Sequence, residues 1–138
     1  MHKFPLPEPP KSSKKLPSFV EEVQINKLLD EFSFGDDFSG LRNKTIIEMF
    51  YNTGMRLSEL IGIQNSDIDL NNSSVKVLGK RNKERILPLQ MPFVKVLKHY
   101  IQVKREQFPD LQHDYFFVTD KGNKMYEKFV YNIVNKYL

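Results

Sequence analysis

The chain has 138 residues, of which 40% are hydrophobic and 28% charged. This length suits one domain, and the composition is typical of a globular protein. The absence of cysteine excludes disulfides, thiolate metal sites and a cysteine nucleophile. No signal peptide and no apolar run long enough to span a bilayer is recognisable, so we expect a cytoplasmic protein.

The first 17 residues differ in composition from the rest of the chain. They hold five of the eight prolines and four lysines, a composition that favours an extended chain over packing. Residues 1–17 are therefore predicted to be a linker, and residues 18–138 the folded domain.

Helical periodicity dominates the next part of the chain. Apolar residues at helical spacing predict a first helix over about 19–32 and a second over about 41–52. Turn-forming residues at 34–40 separate the two. A short third helix is predicted over 56–63, with Arg56 at its front.

A basic hairpin is predicted in the middle of the chain. Residues 74–78 and 85–89 alternate between apolar and polar side chains, as expected of two β-strands joined by residues 79–84. Residues 76–85 contain five basic side chains and one acidic side chain, a net charge of +4 that equals the net charge of the whole chain. A DNA phosphate backbone is the natural partner of such a hairpin.

The last elements are again helical. Pro92 can begin a helix over about 92–107, a short apolar segment covers 114–118, and a final helix is predicted over 126–138. The elements together predict a mainly α fold with a small antiparallel β-sheet, in the α+β class.

Two segments resemble the tyrosine recombinase (phage integrase) family, and specifically its Xer-type site-specific recombinases. They are residues 51–60, YNTGMRLSEL, and residues 77–89, VLGKRNKERILPL. The spacing between them also fits, and the likeness extends from about residue 16 to the end. It implies that the chain is the N-terminal part of a recombinase catalytic domain. The resemblance also implies that the parent protein acts on double-stranded DNA as a tetramer on two duplexes. No cofactor and no metal is predicted.

The resemblance also implies roles for particular side chains. In this family a tyrosine attacks a DNA phosphodiester, forms a phosphotyrosyl link and frees a 5′-hydroxyl. Negative charge builds on the non-bridging oxygens, and the planar fork of an arginine can donate two hydrogen bonds to them. Arg56 matches the first such arginine, and Lys80 matches the hairpin lysine that serves as general acid.

The neighbours of these two residues leave alternatives open. Glu59 either orients Arg56 from one turn along the helix or forms an ordinary surface pair with it. Arg81, Lys83 and Arg85 are either contacts to DNA phosphate or salt-bridged surface residues.

Three functions are compatible with the sequence. The first is a recombinase that integrates or resolves DNA. The family's next motif, His-x-x-Arg, does not occur in the sequence, so we expect this truncated chain to lack the nucleophile and to be inactive alone. The second is a non-catalytic DNA-binding module that uses the basic hairpin as its grip. The third is a protein-interaction domain whose hairpin is merely solvated.

Overall fold

The computed structural model describes residues 34, 35 and 37–137. The predicted linker at 1–17 and the predicted helix at 19–32 lie outside the described residues. Within them the chain forms, in order, α1 (Phe38–Thr53), α2 (Leu57–Gly62), β1 (Ile68–Asp69), β2 (Ser74–Leu78), β3 (Glu84–Pro88), α3 (Met91–Gln107) and α4 (Glu127–Tyr137). The predicted fold class, mainly α with a small antiparallel sheet, is confirmed.

Helix α1 begins three residues before its predicted start. The side chain of Asp37 accepts a hydrogen bond from the Gly40 backbone N–H at 2.9 Å, which satisfies one of the amides exposed at a helix N-terminus. Gly40 also allows a close crossing, because a Cβ atom there would lie 1.7 Å from the carbonyl oxygen of Phe34. The residues predicted as a turn therefore include the first turn of the helix.

The three strands form one antiparallel sheet in the order β1-β2-β3. In the hairpin, Val77 pairs with Arg85 and Lys76 pairs with Ile86. Because side chains alternate between the two faces, Val77 and Arg85 share the inner face. No range was predicted for the two-residue strand β1, and the predicted apolar segment at 114–118 takes part in isolated bridges.

The core joins the helices to the inner face of the sheet. Helix α1 packs against α3, and the short helix α2 packs against both β2 and α4. Large side chains from every layer are fully buried, among them Ile46, Met49, Leu60, Phe93, Leu97, Tyr100, Phe116 and Phe117. Helix α2 is therefore held between the hairpin and the last helix. No helix within the described part of the chain is long and apolar enough to cross a membrane.

A buried lysine fixes the loop that follows α2. Lys104, which is 7% exposed, donates hydrogen bonds to the Tyr115 carbonyl at 2.7 Å and to Asn65 Oδ1 at 3.1 Å. Burial lowers the pKa of Lys104 and outweighs the opposing effect of the Asp114 charge, so that the pKa is about 8. The end of α3 is thereby tied to the turn between α2 and the sheet.

Candidate functional site

A left-handed glycine places Arg56 at the front of α2. Gly54 ends α1 with φ of 68°, and its N–H donates to the Phe50 carbonyl at 2.8 Å. The next residue, Met55, is fully buried and anchors the turn in the core. Arg56 then occupies the N-cap position of α2 in extended conformation, with its side chain half-buried.

Glu59 is the buried centre of the site. It is 4% exposed, and its Oε1 accepts hydrogen bonds from the Arg56 backbone N–H at 2.8 Å and from Arg85 Nη2 at 2.9 Å. Its Oε2 lies 3.4 Å from Arg85 Nε. Burial raises the pKa of Glu59, but the hydrogen bonds from Arg85 and Arg56 and the charges of both arginines outweigh it, so the pKa lies below the ordinary value.

The partners of Glu59 in the structure differ from those that its spacing along the helix suggested. Glu59 is not a surface residue, and its bond to Arg56 is to the backbone and not to the guanidinium group. Arg85 is ion-paired with Glu59 across 26 residues of sequence. One carboxylate thus joins helix α2 to strand β3.

The tip of the hairpin is a tight basic turn. The Gly79 N–H donates to the Lys83 carbonyl at 2.8 Å, and the Lys83 N–H donates to the Lys80 carbonyl at 3.0 Å. Arg81 and Asn82 both adopt left-handed conformations, with φ of 57° and 59°. Lys80, Arg81 and Lys83 are exposed, and none of the three side chains has an ion-pair or hydrogen-bond partner among the described residues.

The tip and α2 meet at Gly79. A Cβ atom at Gly79 would lie 3.1 Å from Glu59 Oε2, so the backbone just before Lys80 passes close to the carboxylate. The site residues predicted from the sequence therefore converge on Glu59. Arg56 is the N-cap residue of the helix that carries Glu59, and Arg85 of β3 is ion-paired with Glu59. Lys80 follows Gly79, which lies close to the Glu59 carboxylate.

The body of the hairpin carries a different charge pattern from its tip. An open cleft of about 300 Å³ lies between the end of α2 and the hairpin. Its rim includes Lys76, whose Nζ lies 3.7 Å from carboxylate oxygens of both Asp67 and Glu84. The cleft is lined by three carboxylates and one lysine, and that lysine is ion-paired. The unpaired positive charge of the hairpin is therefore concentrated at its tip.

A comparison with protein families identifies the fold. The model of the phage integrase family matches residues 18–138. The chain belongs to this family. The predicted resemblance to Xer-type tyrosine recombinases is confirmed, because curated relatives with that name align with most of the chain.

The curated relatives of this integrase-family chain are longer than it is. Tyrosine recombinase XerC of Staphylococcus carnosus is 39% identical over 129 residues, which covers 91% of this chain and 42% of the relative. Tyrosine recombinase XerD of Halalkalibacterium halodurans is 40% identical over 119 residues, which covers 86% of this chain and 40% of the relative. The chain therefore spans about two fifths of the length of these relatives.

Solved structures show the same fold. XerA recombinase matches 84% of this chain and 40% of its own, with a TM-score of 0.71 and 26% identity. XerH site-specific recombinase, solved in a pre-cleavage complex with its difH substrate, matches 89% of this chain and 36% of its own, with the same TM-score and identity. The described helices and sheet are thus part of a tyrosine recombinase catalytic fold.

Proposed function

We propose that the full-length gene product is a site-specific recombinase that cleaves and rejoins double-stranded DNA through a phosphotyrosyl intermediate. The convergence of the Arg56 helix and the Lys80 hairpin on Glu59 is the observation that carries the proposal, together with membership of the integrase family. As the family resemblance implies, the product acts in the cytoplasm as a tetramer on two duplexes.

Arg56 and Lys80 act on different oxygens of the scissile phosphate. Arg56 donates hydrogen bonds to the non-bridging oxygens, where negative charge builds as phosphorus becomes five-coordinate. A tyrosine oxygen forms the new bond to phosphorus, the bond to the 5′ oxygen breaks, and Lys80 gives that oxygen a proton. The number of phosphoester bonds is unchanged, so no external energy is needed.

We assign the contacts to the DNA backbone to Arg81 and Lys83. Both are exposed at the tip beside Lys80, and an unpaired cation gains most from a phosphate. Because the sequence contains no His-x-x-Arg motif, we propose that this chain alone binds DNA and does not cleave it.

Salt-dependent binding tests the DNA contacts. A fluorescent duplex titrated with the chain at several salt concentrations should give a logarithm of the binding constant that falls linearly with the logarithm of salt. Arg81→Asn, which suits the left-handed backbone, and Lys83→Ala should each reduce the slope by about 0.9, the value for one phosphate contact. Binding that ignores salt would instead favour the protein-interaction domain.

Cleavage by the full-length gene product tests the chemistry. A nicked suicide duplex should trap a covalent protein–DNA adduct with the wild type. Arg56→Lys should lower the rate of adduct formation about 10²–10³-fold, the usual cost of one misplaced charge-stabilising donor. Lys80→Arg should also lose cleavage while keeping its affinity for DNA. A wild-type product that binds DNA and forms no adduct would support the non-catalytic DNA-binding module.

A further inference from the structure

Arg85 occupies a strand position that would ordinarily hold an apolar side chain. It pairs with Val77, which is 2% exposed, and both lie on the inner face of the hairpin. Its neighbour Ile86 points to the outer face and is 62% exposed. An arginine at an inner position next to an outward isoleucine requires a specific partner, and Glu59 is that partner.

The contact between Arg85 and Glu59 uses the guanidinium fork. Nη2 lies 2.9 Å from Oε1 and Nε lies 3.4 Å from Oε2, so both carboxylate oxygens are engaged. Two parallel contacts fix orientation as well as distance. Glu59 therefore fixes the orientation of the guanidinium group, although the Arg85 side chain is 47% exposed.

The same carboxylate lies close to the other end of the tip. Gly79 lies beside Glu59, since a Cβ atom there would be 3.1 Å from Glu59 Oε2, and Arg85 is ion-paired with Glu59, so the two residues flank the turn that carries Lys80. The turn itself has no side-chain bonds to the remainder of the described residues. Glu59 therefore lies beside both ends of the turn and is bonded to one of them, through Arg85.

We propose that Arg85 is a positioning residue that fixes the Lys80 tip relative to the Arg56 end of α2 through Glu59, and that it does not itself bind DNA phosphate. The roles of Lys80 and Arg56 rest on the proposed function. The geometric part of the proposal does not, and it is tested separately.

Distances between spin labels test the geometric part. The chain has no cysteine, so Ser58→Cys on α2 and Lys83→Cys at the tip can be labelled cleanly, because both positions are exposed. The wild-type background should give one narrow distance distribution. Arg85→Met should broaden it, and Arg85→Lys should restore part of the order.

Arg81→Asn is the matched control for the distance measurement, since it removes a tip cation that has no described partner. Its distribution should stay narrow. If Arg85→Met unfolds the protein because Glu59 is left unpaired, the double variant Glu59→Gln/Arg85→Met removes that charge and should show the broad distribution. A narrow distribution in every Arg85 variant that folds, or equal broadening by Arg81→Asn, would overturn the proposal.

Two functional measurements separate positioning from phosphate binding and from general structural damage. Arg85→Met should leave the salt slope of DNA binding unchanged, whereas a lost phosphate contact would lower it by about 0.9. In the full-length gene product, Arg85→Met should slow cleavage of an ordinary duplex about 10²-fold, the scale expected for a displaced catalytic group.

A duplex with sulfur in place of the leaving 5′ oxygen needs no proton from Lys80, because a thiolate leaves unprotonated. Arg85→Met should cleave this duplex at nearly the wild-type rate, while Arg56→Lys should not be rescued. Slow cleavage of both duplexes by Arg85→Met would refute positioning of Lys80. If the wild type cleaves neither duplex, the proposed function fails. The distances between the spin labels still test the geometric part of the proposal.

Discussion

Replacing Glu59 with glutamine tests how much the buried carboxylate stabilises the fold. A hydrogen bond to a charged group contributes about 1.5–3 kcal/mol, and its loss is most costly when the remaining partner stays buried. Glu59 is 3% exposed in its side chain, but Arg85 is 47% exposed and can return to water. Glutamine can still accept the Arg56 N–H. We therefore expect Glu59→Gln to lower the free energy of unfolding by about 1–2 kcal/mol at neutral pH.

The pH dependence of this loss identifies its cause. The folded pKa of Glu59 lies below the ordinary value of 4.5, so its charge stabilises the fold fully above pH 4.5 and less as the pH falls through the folded pKa. A protonated glutamate resembles glutamine. The difference between wild type and variant, measured by urea denaturation, should therefore shrink in acid. A difference that is absent at neutral pH, or that persists unchanged in acid, would refute the reasoning.

Three further predictions about the fold can be tested by urea denaturation. Gly40→Ala places a Cβ atom 1.7 Å from the Phe34 carbonyl oxygen, so it should lower the free energy of unfolding by about 1–3 kcal/mol. Gly62→Ala is the control, because a Cβ atom there meets nothing within 4 Å, and it should be neutral or stabilising. Equal effects of the two substitutions would contradict the close crossing at Gly40. Gly54→Ala at φ of +68° should cost about 1–2 kcal/mol, and no loss would exclude the left-handed cap. The pKa of Lys104 is about 8 in the folded protein, and its ordinary value is 10.5. Between pH 8 and pH 10.5 the unfolded chain therefore binds more protons than the folded chain. The wild-type free energy of unfolding should rise above pH 8, and Lys104→Met should abolish this rise.

The sequence predicted most of the local structure, because helical and strand periodicity are local signals. Strand β2 was predicted at its observed bounds, and α3 begins one residue before its predicted start. The start of α1 was misplaced because Asp37 and Gly40 have the composition of a turn, and only the side-chain cap reveals the helix. Strand β1 has two residues and depends on pairing with β2, so no period could reveal it.

The site was predicted only in part, for a related reason. Arg56 and Lys80 lie in recognisable strings, and their nearness to each other follows from how α2 packs on β2. The partnership of Glu59 and Arg85 spans 26 residues and cannot be read from spacing along either element. One local signal was available, since strict alternation from Leu87 places Arg85 on the inner face with no apolar reason to be there.

The Glu59–Arg85 pair also bears on which hairpin this sequence can form. A shift of β3 by one residue would turn Ile86 and Pro88 inward and would turn the half-buried Leu87 and the buried Leu89 outward, so the apolar residues favour the observed alignment. Such a shifted hairpin would leave the Glu59 carboxylate buried without its guanidinium partner. The ion pair and the apolar residues therefore select the same strand alignment. A hairpin that lost this pair would depend on the apolar residues alone for the alignment that places Lys80 at its tip.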